Sequence, residues 1–324
     1  MKSKTIKQVL RKRFDEFVDS IDDPSVSKLV NINSIITGGS IASMLKGEQV
    51  NDFDVYFTDK QTVLAVCNYY IKKFAKENSQ RPNFEVIDDG TRVKIRVKSA
   101  GVAAEDGFVF DEQEVDQVYD IDGNLSDGVT FQLDNAMNSE DTEDPGVTPS
   151  MTNPDDITYL PEDTKLKDKF RPVYISANAI TLSDQFQLII RFYGDAEEIH
   201  SNYDFAHCTC WWRSKDGHLE LPSEALECLL TNELRYKGSK YPLASIIRTR
   251  KFINRGFTIN AGQYLKMCMQ LNDMDLRNLD TLEDQLIGVD ALYFAQMLAN
   301  IPNNAKIDNR IDSNYLIEMI DRFF

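Results

Sequence analysis

The chain has 324 residues, 36 Lys and Arg against 52 Asp and Glu, and a formal net charge of −16, with 42% hydrophobic residues. That length and apolar share suit a folded protein of about two domains, and no apolar run approaches the roughly 18 residues of a membrane span. Five cysteines, an odd number, follow an N-terminus without an apolar leader, which points to reduced thiols in a cytoplasm; three histidines leave little room for histidine-based metal chemistry.

The charge is unevenly spread. Residues 105–163 hold 18 Asp or Glu and no Lys or Arg, so the remainder of the chain carries +2. Acidity of the whole therefore does not exclude a nucleic-acid partner for the folded part.

Residues 5–21 place Ile6, Val9, Leu10, Phe14, Phe17, Val18 and Ile21 at helical spacing, with Lys7, Arg11, Lys12 and Arg13 on the solvated side. Ile35-Ile36 reads as a short buried strand broken by Gly38-Gly39. Ser40 is expected to cap a two-turn helix that Gly47 stops. Asp52-Phe53-Asp54-Val55-Tyr56-Phe57 reads as a strand with Asp52 and Asp54 on one face and Phe53, Val55 and Phe57 in the core. Neighbouring carboxylates repel, so the pair is costly without a cation between them. The Gly38-Gly39-Ser40 turn brings bare backbone N–H groups and a hydroxyl to a helix N-terminus, a ready anion site. A phosphate cradle followed by a metal-holding acid pair is the apparatus of nucleotidyl transfer.

Further on, Val63, Cys67, Tyr70, Ile71 and Phe74 mark a helix packed on the sheet, and residues 84–97 form a hairpin about Gly90. The acidic stretch 105–163 reads as a mobile, solvated insertion. Strand patterns resume at 173–175, 179–182 and 186–192, a short helix is expected over 195–200, and from 222 the pattern is helical: 222–231, 242–254, 260–271, 289–299 and 311–323. In the helix opened by Pro242, Arg248, Lys251 and Arg255 fall at i, i+3 and i+7 on one face, suited either to a triphosphate or RNA backbone or to solvent. His207-Cys208-Thr209-Cys210 lacks a second ligand pair nearby, and its cysteines read as core residues.

The string from Gly38 to Gly47, a spacer, and Asp52-Phe53-Asp54-Val55-Tyr56-Phe57-Thr58 resembles the signature of the DNA polymerase β-like nucleotidyltransferases. Within them it is most similar to the class II tRNA nucleotidyltransferase and poly(A) polymerase head. A second stretch is similar in the same order: Phe186–Arg191, Asn202–Trp212, then Arg248-Thr249-Arg250-Lys251-Phe252-Ile253-Asn254-Arg255-Gly256-Phe257. The stretch from Tyr241 to Phe257 also resembles nucleotidyltransferase-like proteins of tailed phages and large viruses. Three departures stand out. The family's Arg-Asp inside the first helix is Ala42-Ser43; its third metal carboxylate falls at Gln187; and its base-reading template corresponds to Lys240-Tyr241-Pro242-Leu243-Ala244 and is missing. CCA addition and a base preference are therefore not implied.

The resemblance implies an α+β fold: an N-terminal helical segment 1–31, a small mixed sheet flanked by helices over 32–221, and a helical domain 222–324. It implies transfer of a nucleoside monophosphate from a nucleoside triphosphate to an RNA 3′ end or another hydroxyl. Asp52 and Asp54 would hold two Mg²⁺ (or Mn²⁺) ions. Gly38, Gly39 and Ser40, with Arg248, Lys251 and Arg255, would hold the nucleotide. Asp204 is the candidate third catalytic acid, with Glu85 a weaker one. The alternatives are a fold of this kind that has lost catalysis and serves as a binding or assembly module, or a toxin-like enzyme acting on host tRNA or protein.

Overall fold

A computed structural model of the chain describes residues 1–77, 83–88, 90, 92–98, 169–176, 178–286, 309–315 and 317–318. The acidic stretch 105–163 and the expected helix 289–299 lie outside them, and the one over 311–323 is described only in part.

Helix α1 (Ser3–Asp19) turns Ile6, Leu10, Phe14, Phe17 and Val18 inward, as its 3.6-residue spacing dictates. Its Arg13 is not on a solvated face: the guanidinium lies over the rings of Phe53, Phe170 and Phe186 and donates to the Asp184 carbonyl at 2.6 Å. Helix α2 (Pro24–Ile32) starts at a proline that needs no N–H partner, and the Asp23 carboxylate caps the amides of Ser25 and Val26.

Strand β1 (Ser34–Thr37) leads into α3 (Gly39–Lys46), which ends at Gly47 in the left-handed region, the predicted stop. Strand β2 (Phe53–Phe57) and α4 (Lys60–Glu77) follow, then the hairpin β3 (Asn83–Asp88) and β4 (Val93–Lys98), which forms a ribbon of its own. Glu85 therefore stands on that ribbon and not on the sheet that carries Asp54.

The main sheet adds β5 (Pro172–Ile175), β6 (Ala179–Leu182), β7 (Phe186–Tyr193), β8 (Trp211–Arg213) and β9 (Leu219–Glu220), in the order β5-β6-β7-β2-β1-β8-β9. Among the described strands of this sheet only β2 and β7 pair in parallel, and the other pairs are antiparallel. Helix α5 (Ala196–His200) is opened by a reciprocal capping box of Asp195 and Glu198. Beyond the sheet come α6 (Ser223–Thr231), α7 (Pro242–Asn254), α8 (Ala261–Asn272) and α9 (Leu279–Leu286). The last of these, and the β8–β9 hairpin, were not anticipated from the sequence.

The result is an α+β protein with a mixed sheet. Its core is continuous: Phe14 and Phe17 of α1, Val55 and Phe57 of β2, Tyr70 of α4, Phe186 of β7, Trp212 of β8 and Phe252 of α7 belong to one apolar cluster. The other sheet face carries a smaller cluster, with Ile35, Tyr56, Ala196 and Ile199 buried together. Among the described residues no helix is long and apolar enough to cross a membrane.

Candidate functional site

The alternation on β2 divides it as the sequence predicts: Phe53, Val55 and Phe57 enter the main core, while Asp54 and Tyr56 take the other face. Asp52 lies one residue before the strand and is exposed; Asp54 is half-buried. Burial pushes the Asp54 carboxyl up to about 7, the charge of Asp52 adds to the shift, and Lys251 opposes it. Partial desolvation also raises Asp52, against the same lysine. The two acids thus feel each other and one ammonium group.

Gly38 joins this pair to the head of α3. Its φ of +94° and ψ of −146° define a conformation that side chains other than hydrogen rarely tolerate. A Cβ there would sit 3.1 Å from Asp54 Oδ2 and 3.5 Å from the Tyr203 hydroxyl. The Gly38 N–H is already committed, donating to the Cys208 carbonyl at 3.2 Å. Gly38 therefore serves by lacking a side chain, and the amides left to an anion are those of the first turn of α3, which no side chain caps. Ser40 is not the cap its sequence position suggests. Gly38 occupies that place, and Ser40 lies within the first turn, 2% exposed, with its hydroxyl unpartnered.

Across the sheet, Asp54 is flanked in register by Thr37 of β1 and Gln187 of β7. The Thr37 hydroxyl is engaged by the Cys210 carbonyl at 3.0 Å and by His200 Nε2 at 2.8 Å. Burial and Lys237 lower His200 to about 4, so its ring is neutral near pH 7. Tyr56 and Tyr203 meet beside the acid with ring centroids 6.1 Å apart and planes tilted 56°, and burial raises both phenols. Thr37, Tyr203 and His200 were missed from sequence; the alternation along Ile35-Ile36-Thr37 was the only local hint.

The basic stripe of α7 meets acids along its whole length. Arg248 pairs with Asp204 at 2.5 Å, and Arg255 pairs with Glu48 at 2.6 Å and reaches Ser43 Oγ at 3.1 Å. Lys251, between them, makes no ion pair among the described residues and acts electrostatically on Asp52 and Asp54. Two of the three predicted phosphate-binding cations thus tie α7 to the loops that follow α5 and α3, and Lys251 is the one that acts on Asp52 and Asp54.

Asp204 sits on the loop after α5, 7% exposed and paired with Arg248. Among the described residues no three His, Cys, Asp or Glu side chains come together in a metal-binding group. We expect Arg248→Ala to cost about 2 kcal/mol in urea unfolding, because it strands a buried carboxylate. The Arg248→Ala/Asp204→Asn double variant should recover part of that loss.

The acid pair fits a hard divalent cation such as Mg²⁺ or Mn²⁺. It offers two carboxylates, destabilised by proximity and burial, with no hydrogen-bond donor among the described residues and an amide oxygen available on the flanking strand.

Fold and site together define an α+β protein in which an acid pair on a mixed sheet converges on the glycine turn heading a helix. Residues 8–232 match the family described as Gad2, Gabija anti-defense 2 family protein, and the chain belongs to that family. A curated relative, "Gabija anti-defense 2" of Bacillus phage SPbetaL7, is 21% identical over 108 residues, covering 33% of this chain and 27% of the relative. The chain thus matches well under half the length of that relative.

Among solved structures, the Bacillus stearothermophilus CCA-adding enzyme in complex with CTP overlaps 88% of this chain and 51% of its own, at 12% identity and a TM-score of 0.36. The Thermotoga maritima CCA-adding enzyme complexed with tRNA overlaps 96% and 69%, at 10% identity and 0.37. A CCA-adding enzyme complex with CTP overlaps 98% and 52%, at 12% identity and 0.41. Scores this low establish no shared reaction.

Proposed function

We propose that this chain is a nucleotidyltransferase-like counter-defence protein that moves a nucleoside monophosphate from a nucleoside triphosphate to a hydroxyl acceptor: the acceptor oxygen, losing its proton, bonds to the α-phosphorus, and the bond from that phosphorus to the β-phosphate oxygen breaks to release pyrophosphate. The observation that carries the reading is the contact at Gly38, where the missing Cβ lets the Asp54 carboxylate lie against the turn that opens α3. A triphosphate held by the first-turn amides of α3 has its reacting phosphorus beside the acid pair. Asp52 and Asp54 would hold Mg²⁺ or Mn²⁺, which supplies Lewis-acid activation of the acceptor hydroxyl and charge neutralisation at the phosphates. Lys251 offsets negative charge on the transferring group. Arg248 and Arg255 keep α7 in place, so that Lys251 stays over the acids. The acceptor is an RNA 3′ end or another hydroxyl of the host cytoplasm, a tRNA or protein hydroxyl among them.

A second reading has a specific observation behind it. Gln187 stands where a third carboxylate would flank Asp54, and Asp204 is tied to Arg248. Both features suit a module that binds nucleotide without turning it over. Incubation of the purified chain with each α-labelled triphosphate, Mg²⁺ or Mn²⁺, and total RNA or cell lysate separates the two. Label incorporated into a macromolecule and lost in Asp54→Asn supports transfer. Nucleotide bound without incorporation supports the module.

A further inference from the structure

Adjacent in-register strands present paired side chains to the same face, so Thr37, Asp54 and Gln187 form a row across β1, β2 and β7. Thr37 is spent on Cys210 and His200. Gln187 is half-buried and makes no side-chain hydrogen bond among the described residues. Its amide oxygen is therefore the one uncommitted neutral donor flanking Asp54 in the sheet.

Charge decides how many ions the row can hold. Two carboxylates and the ammonium of Lys251 bear on the site, and Asp204 is paired with Arg248. A first divalent cation finds an excess of negative charge. A second, placed roughly 3.5–4 Å from it as in two-metal sites, would meet the repulsion of the first with no third carboxylate to offset it.

Resting on the nucleotidyltransferase reading above, we infer that Gln187 completes, through its side-chain oxygen, the coordination of a single divalent cation by Asp52 and Asp54. Without nucleotide the chain takes up one such ion and no second. The amide supplies a ligand without supplying charge, and that sets the count.

The test is a Mn²⁺ titration of the full chain without nucleotide, with free Mn²⁺ followed by electron paramagnetic resonance. One Mn²⁺ per chain is expected in the wild type, and two in Gln187→Glu. Gln187→Leu should keep one ion bound roughly tenfold more weakly, the scale of losing one supporting group around a metal. Melting curves accompany each variant. If Leu unfolds the chain, Gln187→Asn, which draws the same amide back by one methylene, must weaken the ion likewise.

Two Mn²⁺ in the wild type, both lost in Asp54→Asn, overturn this inference and leave the catalytic reading standing. One Mn²⁺ held equally well by Gln187→Leu removes Gln187 from the site. No Mn²⁺ in the wild type, and no difference between it and Asp54→Asn, sinks the catalytic reading itself.

Discussion

Asp54→Asn should abolish transfer and, at the same time, make the metal-free protein harder to unfold at pH 8. The loss of transfer, at least about 10³-fold, follows from removing one of two charges that would hold the activating cation. The gain in stability follows from linkage. In the unfolded chain the carboxyl titrates in the ordinary range near 4, whereas in the folded protein burial and Asp52 push it up to about 7. Between those values the folded state binds more protons than the unfolded one, so stability falls as pH rises, and the full penalty is in place above about 7. Asparagine removes the ionisation and with it the penalty. We expect a gain on the order of 2–4 kcal/mol at pH 8 in chelator, shrinking toward nothing below about pH 4. Thermal melts of both proteins across that window check it. Adding Mn²⁺ at pH 8 should raise the melting temperature of the wild type and leave Asp54→Asn where it was. A variant no more stable than wild type at pH 8 in chelator would show that Asp54 is solvated, and the case for a cation-seeking pair would weaken.

Two adjacent glycines should behave in opposite ways. Gly38→Ala forces a Cβ into a backbone conformation that side chains avoid and sets it 3.1 Å from Asp54 Oδ2. The strained conformation costs about 1–3 kcal/mol, and the carboxylate must move by a few tenths of an ångström. Displacements of about 1 Å at reacting groups cost roughly 10²-fold in rate, so a loss of about tenfold or more in transfer is expected alongside the lower melting temperature. Gly39→Ala meets nothing within 4 Å, and its φ is ordinary for the first turn of a helix. It should be neutral or stabilise by up to about 1 kcal/mol. Equal destabilisation by the two would mean that the turn is not held against Asp54 as described.

Much of the framework was open to reading before any coordinates. The alternation Phe53, Val55, Phe57 against Asp54 and Tyr56, the helix carrying Val63 to Phe74, the hairpin about Gly90 and the stop at Gly47 all depend on residues within a few positions of one another. The helical face of Arg248, Lys251 and Arg255 was legible for the same reason. What those three cations do was not. Asp204 and Glu48, which take two of them, are distant in sequence, and no periodicity within α7 records who faces it. Ser40 was misjudged because the cap position falls at Gly38, whose positive φ a one-residue reading does not reveal.

By itself the sequence determined the local code: which residues alternate, which turn, which side of each helix is apolar, and that two acids follow a glycine turn. Those properties come from backbone sterics and the spacing of apolar side chains, which act over a turn of helix or a few strand positions. The tertiary structure alone decided that Thr37 flanks Asp54 on its other side, that Asp204 answers to Arg248, and that Glu48 takes Arg255. Such partnerships depend on the register of strands far apart in the chain, and register is settled by how the shared core of Phe14, Phe57, Phe186 and Trp212 closes around them.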